Sequence, residues 1–297
     1  MSVLFNFIIL NLLILIFYST FELSIDLSIE ETTPRENPIT RFTKIVIVTQ
    51  TKDSADFIAE WCRYYQSQGI DRIIMLDNSK NNDISNEVEK FGVFVEHIRS
   101  NWNGRVSTQH LDIQRIILEN ISEIDFLLHV DDDEFIASPT NTIRELAEMV
   151  AKRDGIPQLG FCWRYVGTQG LKTLTGSTLF SARRMQPLNE TSHCNRWQRK
   201  SMLNLQFANK TFWKNKIKKA VQGDIVHGFS FKESTITNML NFRAYHVSRS
   251  YEHLERRVVV WNRSSGALTT SKKQKKALEL KDRNDVSDDI LFTKTKK

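Results

Sequence analysis

From Lys44 to Val130 the chain alternates short apolar runs with amphipathic stretches, and that alternation leaves few folds open. Lys44–Gln50 (KIVIVTQ) is rich in β-branched residues and reads as a strand, followed in the same manner by Arg72–Leu76, Val93–His97 and Ile124–Val130. Between them lie three helices. The first is capped by Asp53 or Ser54, gathers Phe57, Ile58, Trp61, Tyr64 and Tyr65 on one face and stops at Gly69; Ile84–Lys90 and Thr108–Glu119 supply the others. Strands alternating with helices become neighbours in a mainly parallel sheet with right-handed crossovers. The expected fold class is therefore α/β, a Rossmann-like sheet flanked by helices. The second half is less regular. Thr142 and Glu145 form a capping box for a helix with Leu146, Met149 and Val150 inward, and the strand Leu159–Tyr165 leads into the Gly-rich loop Gly167–Gly170.

The fourth strand breaks abruptly into Asp131-Asp132-Asp133-Glu134. In open α/β sheets ligands bind beyond the carboxyl ends of the strands, so carboxylates there face a ligand. Adjacent negative charges repel, and hard divalent cations such as Mg²⁺ or Mn²⁺ accept oxygen donors of this kind, usually together with substrate phosphates. A metal-diphosphate site is the sharper reading and a solvated acidic turn the blander one. A phosphatase-type Asp-x-Asp-x-Thr nucleophile loop is set aside because Phe135 stands where the Thr belongs.

A chain of 297 residues can bury one substantial core. Its net charge of +6 is modest, and the basic residues lie mainly between Arg183 and Lys219 and after Lys272. An anionic diphosphate substrate accounts for the first group as well as a nucleic acid would, so no nucleic-acid partner is expected. Cys62, Cys162 and Cys194 are widely spaced, which argues against structural zinc; burial, or one disulfide with a thiol left over, are the alternatives.

Residues 1–21 read as a signal-anchor helix, apolar from Val3 to Tyr18 except at Asn6 and Asn11, with a cleaved signal peptide as the alternative. Glu22, Asp26, Glu30 and Glu31 follow it, favouring a body on the non-cytoplasmic side. Residues 22–42, with Pro34 and Pro38, read as a stem, residues 43–265 as the folded domain and residues 266–297 as a disordered basic tail. Sequons at Asn120, Asn189, Asn209 and Asn262 agree weakly with a secretory location.

Asp131-Asp132-Asp133-Glu134-Phe135 resembles the Asp-x-Asp-Glu-Phe metal motif of glycosyltransferase family 92 and its family 2-like relatives of GT-A fold. An ordered series of weaker matches spans Lys44 to Arg263: Lys52-Asp53 with Glu60-Trp61, Asp77-Asn78-Ser79 with Asp83, Gln109, Trp163, the Gly167–Gly170 loop, His227, and Tyr245-His246. Asp53, Val166 and Val247 depart from the pattern.

The resemblance implies a GT-A glycosyltransferase, hexosyltransferase-like and inverting. It would take a UDP-sugar as donor and a glycan or glycoconjugate as acceptor, and would lie in the Golgi or endoplasmic reticulum with its body lumenal. Asp131 and Asp133 would hold Mn²⁺ or Mg²⁺, with His246 as a late ligand and His227 as its competitor. Asp77 would accept the uracil or ribose donors, or merely cap its loop; Lys52 would meet a phosphate, or be an exposed loop lysine, and Lys218, with Lys214, Lys216 and Lys219, would offset the diphosphate charge, or form a solvated basic face. No acid follows Gly170 where the acceptor's base is expected, which leaves Glu190 and Asp224 as candidates. The competing functions are a catalytically inactive GT-A-like lumenal binding or scaffold protein and a sugar nucleotidylyltransferase, whose Gly-rich basic N-terminal loop is not matched here.

Overall fold

Aliphatic and β-branched residues make up strand β1 (Ile45–Thr51), and all of it is buried. Ile45 and Ile47 face one side of the sheet with helix α1 (Ala55–Ser67), while Val46 and Val48 face the other. A strand covered on both faces must be apolar at consecutive positions, as this one is. The computed structural model describes residues 43–79, 83–100, 106–153, 155–168, 172–173, 184–185, 199–220, 235–237, 239–248 and 286–287. The expected anchor, the stem and all of the tail but residues 286–287 lie outside these. So do Glu190, Asp224 and His227. No helix among the described residues is long and apolar enough to cross a membrane.

Strand β2 (Arg72–Asp77), helix α2 (Asp83–Val88), a 3₁₀ segment (Glu89–Phe94) and strand β3 (Val95–Arg99) follow. The third strand starts two residues later than its apolar pattern suggests. Gly92 takes a positive φ of 53°, turning Val93 out to solvent and Phe94 into the core. Helix α3 (Val106–Asn120) leads into β4 (Phe126–His129). Pairing of β1 with β2, β2 with β3 and β1 with β4 is parallel throughout, so the order β4-β1-β2-β3 is the Rossmann-like half expected.

Beyond the acids come β5 (Glu134–Ala137), helix α4 (Ile143–Ala151), β6 (Gln158–Val166), β7 (Arg184–Met185), β8 (Arg199–Asn204), helix α5 (Lys210–Lys219), β9 (Thr235–Thr237), β10 (Arg243–Val247) and β11 (Val286–Ser287). Strand β8 lies antiparallel between β4 and β6 and extends the sheet to β11-β7-β6-β8-β4-β1-β2-β3. Strand β10 runs antiparallel to β5 and parallel to β6. The result is a mixed sheet flanked by helices, the α/β class expected. Helices α3 and α5 cover one face through Ile113, Ile116, Ile117, Trp213 and Ile217.

Helix α4 begins as its sequence dictates. The Thr142 hydroxyl accepts from Glu145 N while the Glu145 carboxylate accepts from Thr142 N. Leu146 and Val150 turn inward, but Met149 sits at the rim of a shallow groove with Glu148 and Lys152. Arg144 ties the helix to the carbonyls of Thr43 and Gly69. Gly69 has a φ of 78°, and a Cβ there would stand 2.6 Å from that of Arg144. Thr142→Ala should lower the unfolding free energy by about 1 kcal/mol, read from urea denaturation, because the cap satisfies an otherwise orphaned N–H.

Candidate active site

Strand β4 delivers the acids to the carboxyl end of the parallel strands, and each then meets a different environment. Asp132 turns back toward β1, where Thr51 Oγ1 donates to its Oδ2 at 2.7 Å and the Ser54 hydroxyl donates to the same oxygen. That bond explains a departure at α1: Ser54 occupies the N-cap position without capping through its side chain. Asp131 and Glu134 close a turn on themselves, with Glu134 N donating to Asp131 O (3.1 Å) and Asp131 N donating to Glu134 Oε2 (2.8 Å). Asp133 is buried, and its Oδ2 lies 3.3 Å from His246 Nε2. Register produces this last contact, since β10 pairs His246 with Glu134 and Val247 N donates to Asp133 O.

Lys200, on β8, is the residue that sequence reasoning missed. Its ammonium is fully buried and stands 3.1 Å from both Asp131 Oδ2 and Glu134 Oε2, and 5.8 Å from the centre of the Trp163 ring. Burial pulls the Lys200 pKa down, but the Asp131 and Glu134 carboxylates more than offset it and leave it above its ordinary value. Burial likewise pushes the Glu134 carboxyl up to about 8, against the pull of Lys200 and with Asp131 and Asp133 adding to the rise. These directions conflict, because a neutral Glu134 would release half of Lys200's pairing. The 3.1 Å contact and the Asp131 N–H aimed at the same oxygen favour the charged pair. No lone lysine in an otherwise unremarkable strand could have announced this. Only β8's position between β4 and β6 brings it to the acids.

The β1–α1 turn joins the acid loop to a second polar corner. Asn78 N donates to Thr51 O, and Asp53 N, at a residue with φ 51°, donates to the Ser79 hydroxyl. Asp77 ends β2 with a fully buried carboxylate: Oδ1 accepts from Ser79 N at 2.7 Å, and Oδ2 meets Arg99 Nη1 at 2.6 Å and His97 Nε2 at 3.0 Å. Burial works to raise its pKa, but the Ser79, His97 and Arg99 hydrogen bonds win and hold it below the usual carboxylate value. The Asx-type turn, the alternative reading of Asp77, is thus present. The Arg99 side chain at this corner is open to solvent, 43% exposed.

The structure therefore brings Asp131, Asp133 and His246 to one loop, with Lys52 half-buried on the turn between the loop and Asp77. It does not bring Lys218 there. That lysine lines a shallow groove between α3 and α5 with Leu111, Arg115 and Glu119. Trp163 and Tyr165 of β6 flank His246 with ring centres at 5.6 and 5.4 Å. Among the described residues no three His, Cys, Asp or Glu side chains are gathered closely enough to hold a metal ion as they stand. Cys62 is a buried free thiol, pushed up to about 12 by burial, whereas Cys162 is disulfide-bonded.

No protein-family model matches the chain, and no curated protein matches it. Solved structures do. Residues 1–349 of TarS from S. aureus are 14% identical with a TM-score of 0.43, the match covering 80% of this chain and 69% of that one. The mannosyltransferase Ktr4p from S. cerevisiae is 8% identical at a TM-score of 0.37, covering 72% and 75%. A cytidylyltransferase from Leptospira borgpetersenii is 11% identical at 0.36, covering 80% and 93%. Glycosyltransferases and nucleotidyltransferases thus both stand among the neighbours at low identity. The likeness is one of fold, from which no activity follows.

Proposed function

We propose that the chain is a metal-dependent glycosyltransferase that moves a sugar from a nucleotide diphosphate sugar to a glycan or glycoconjugate acceptor. The resemblance to family 92 makes the donor a UDP-sugar and the outcome inversion. The observation that carries the reading is the convergence of Asp133 and His246 at 3.3 Å beside Asp131, at the carboxyl end of a Rossmann-like strand. The carboxylate oxygens suit Mn²⁺ or Mg²⁺ and the imidazole nitrogen favours Mn²⁺ of the two, a donor set short of a full shell that a diphosphate would complete. Bound by Asp131, Asp133 and His246, the ion would supply Lewis-acid stabilisation of the departing diphosphate.

Thr51 and Ser54 hold Asp132 toward the sheet, keeping the loop's acids apart. Asp77 orients Arg99 for the nucleotide's charge, and Lys52 meets a phosphate. Glu190 or Asp224 would take the acceptor hydroxyl's proton. We place the body in the secretory lumen, anchored through residues 1–21. The Cys162 disulfide supports an oxidising compartment.

Calorimetry on the detergent-solubilised full chain tests the reading. UDP should bind only with Mn²⁺ or Mg²⁺ present, and Asp133→Asn should weaken it about tenfold through the lost ligand charge. Equal UDP affinity in EDTA would overturn the proposal.

A further inference from the structure

We propose that Lys200 is a built-in counter-cation of the acid loop, a positioning residue that keeps the loop folded without metal and sets how tightly a divalent cation binds. This rests on the metal reading above but concerns a residue that reading does not use. The loop concentrates the carboxylates of Asp131, Asp132, Asp133 and Glu134 in consecutive positions, three of them buried. Such charges cannot share a dry site uncompensated. Among the described residues Asp132 is met by two hydroxyls and Asp133 by an imidazole, while Lys200 brings a fixed charge. Its ammonium bridges the first and last acids of the turn, at 3.1 Å from each, with no exposure of its own.

Two consequences follow from the geometry. The ammonium clamps Asp131 to Glu134 and so fixes the turn before any ligand arrives. It also occupies Asp131 Oδ2, an oxygen that a cation would seek, and repels any second positive charge brought beside it. The Trp163 ring, its centre 5.8 Å from the ammonium, adds a favourable contact to the charge where it stands. Metal affinity is therefore held down by a charge in the protein, and the loop remains ordered when empty.

The experiment compares the full-length protein with Lys200→Met, Lys200→Arg and the double variant Lys200→Met/Glu134→Gln, reading Mn²⁺ affinity by calorimetry and melting temperature in EDTA. Lys200→Met should bind Mn²⁺ about tenfold more tightly or better, as expected for removing one unit charge next to the ion in a medium between water and protein interior. Its melting temperature in EDTA should fall, and saturating Mn²⁺ should close most of that gap. Lys200→Arg, which keeps the charge, should stay near the wild-type affinity. If Lys200→Met does not fold, the double variant removes a carboxylate along with its cation, and it should fold and still bind Mn²⁺ more tightly than wild type. Unchanged or weaker Mn²⁺ binding in Lys200→Met, or in the double variant where only that folds, overturns the role of Lys200 while wild-type binding leaves the metal reading intact. Binding by the variant but not by wild type supports Lys200 and defeats the metal reading. Binding by neither defeats both.

Discussion

Trp61→Ala should lower the unfolding free energy by about 3–5 kcal/mol, the range for truncating a buried aromatic to alanine. Trp61 is fully buried on α1, and its indole N–H donates to Glu134 O at 3.0 Å. Tyr65, edge-on to it at 4.6 Å, donates its hydroxyl to the same carbonyl and accepts from Ile136 N. Tyr64 donates to Ile136 O. One helix face thus holds the backbone of β5, the strand by which the chain leaves the acid loop. Removing the indole opens a cavity where α1 meets β5 and drops one of two donors from Glu134 O. Trp61→Phe keeps most of the volume and leaves Tyr65 on that carbonyl, so it should cost far less, about 1 kcal/mol. Urea unfolding of the three proteins measures both effects. A loss below about 1 kcal/mol for the alanine variant would mean that this face does not anchor the loop.

The same residues show what a sequence can reveal. Trp61, Tyr64 and Tyr65 follow helical spacing, so their burial was legible; their hydrogen bonds to β5 were not, because they depend on where a strand 70 residues later docks. The parallel half was readable because each strand and helix announces itself by local periodicity and each crossover has one hand. Strand β8 breaks that logic by entering antiparallel between β4 and β6, and with it came Lys200. The acid motif was visible as a run of like charge, but not that its members separate: Asp132 to Thr51, Asp133 to His246, Asp131 and Glu134 to Lys200. His246 could be named from the resemblance. Its placement follows from the register of β10 on β5. Lys218 belongs to a run of exposed basic positions on α5, where charge pattern alone cannot distinguish a solvated face from a binding one.

Asp77→Ala should destabilise the protein by about 3 kcal/mol, the lower end of what breaking a buried ion pair costs, since Arg99 retains access to water. The carboxylate is fully buried at the end of β2 and serves Ser79 N, His97 and Arg99 together, so its loss takes the carboxylate from an imidazole and a guanidinium of β3, Arg99 keeping its bond to Ser79 O. Asp77→Asn isolates the charge. Because the folded-state pKa lies below the ordinary 3.8, Asp77 binds its proton less readily when folded than when unfolded. Its contribution is therefore fully present above that ordinary value and is lost as the pH falls through the lower folded one. The difference in unfolding free energy between wild type and Asp77→Asn should accordingly stay level from neutral pH down to about 5 and shrink below about 4. Chemical denaturation at a series of pH values measures it. A difference that stays constant or widens on acidification would mean that the Asp77 charge does not hold this corner together, and that Arg99 keeps its place at the end of β3 through its bond to the Ser79 carbonyl instead.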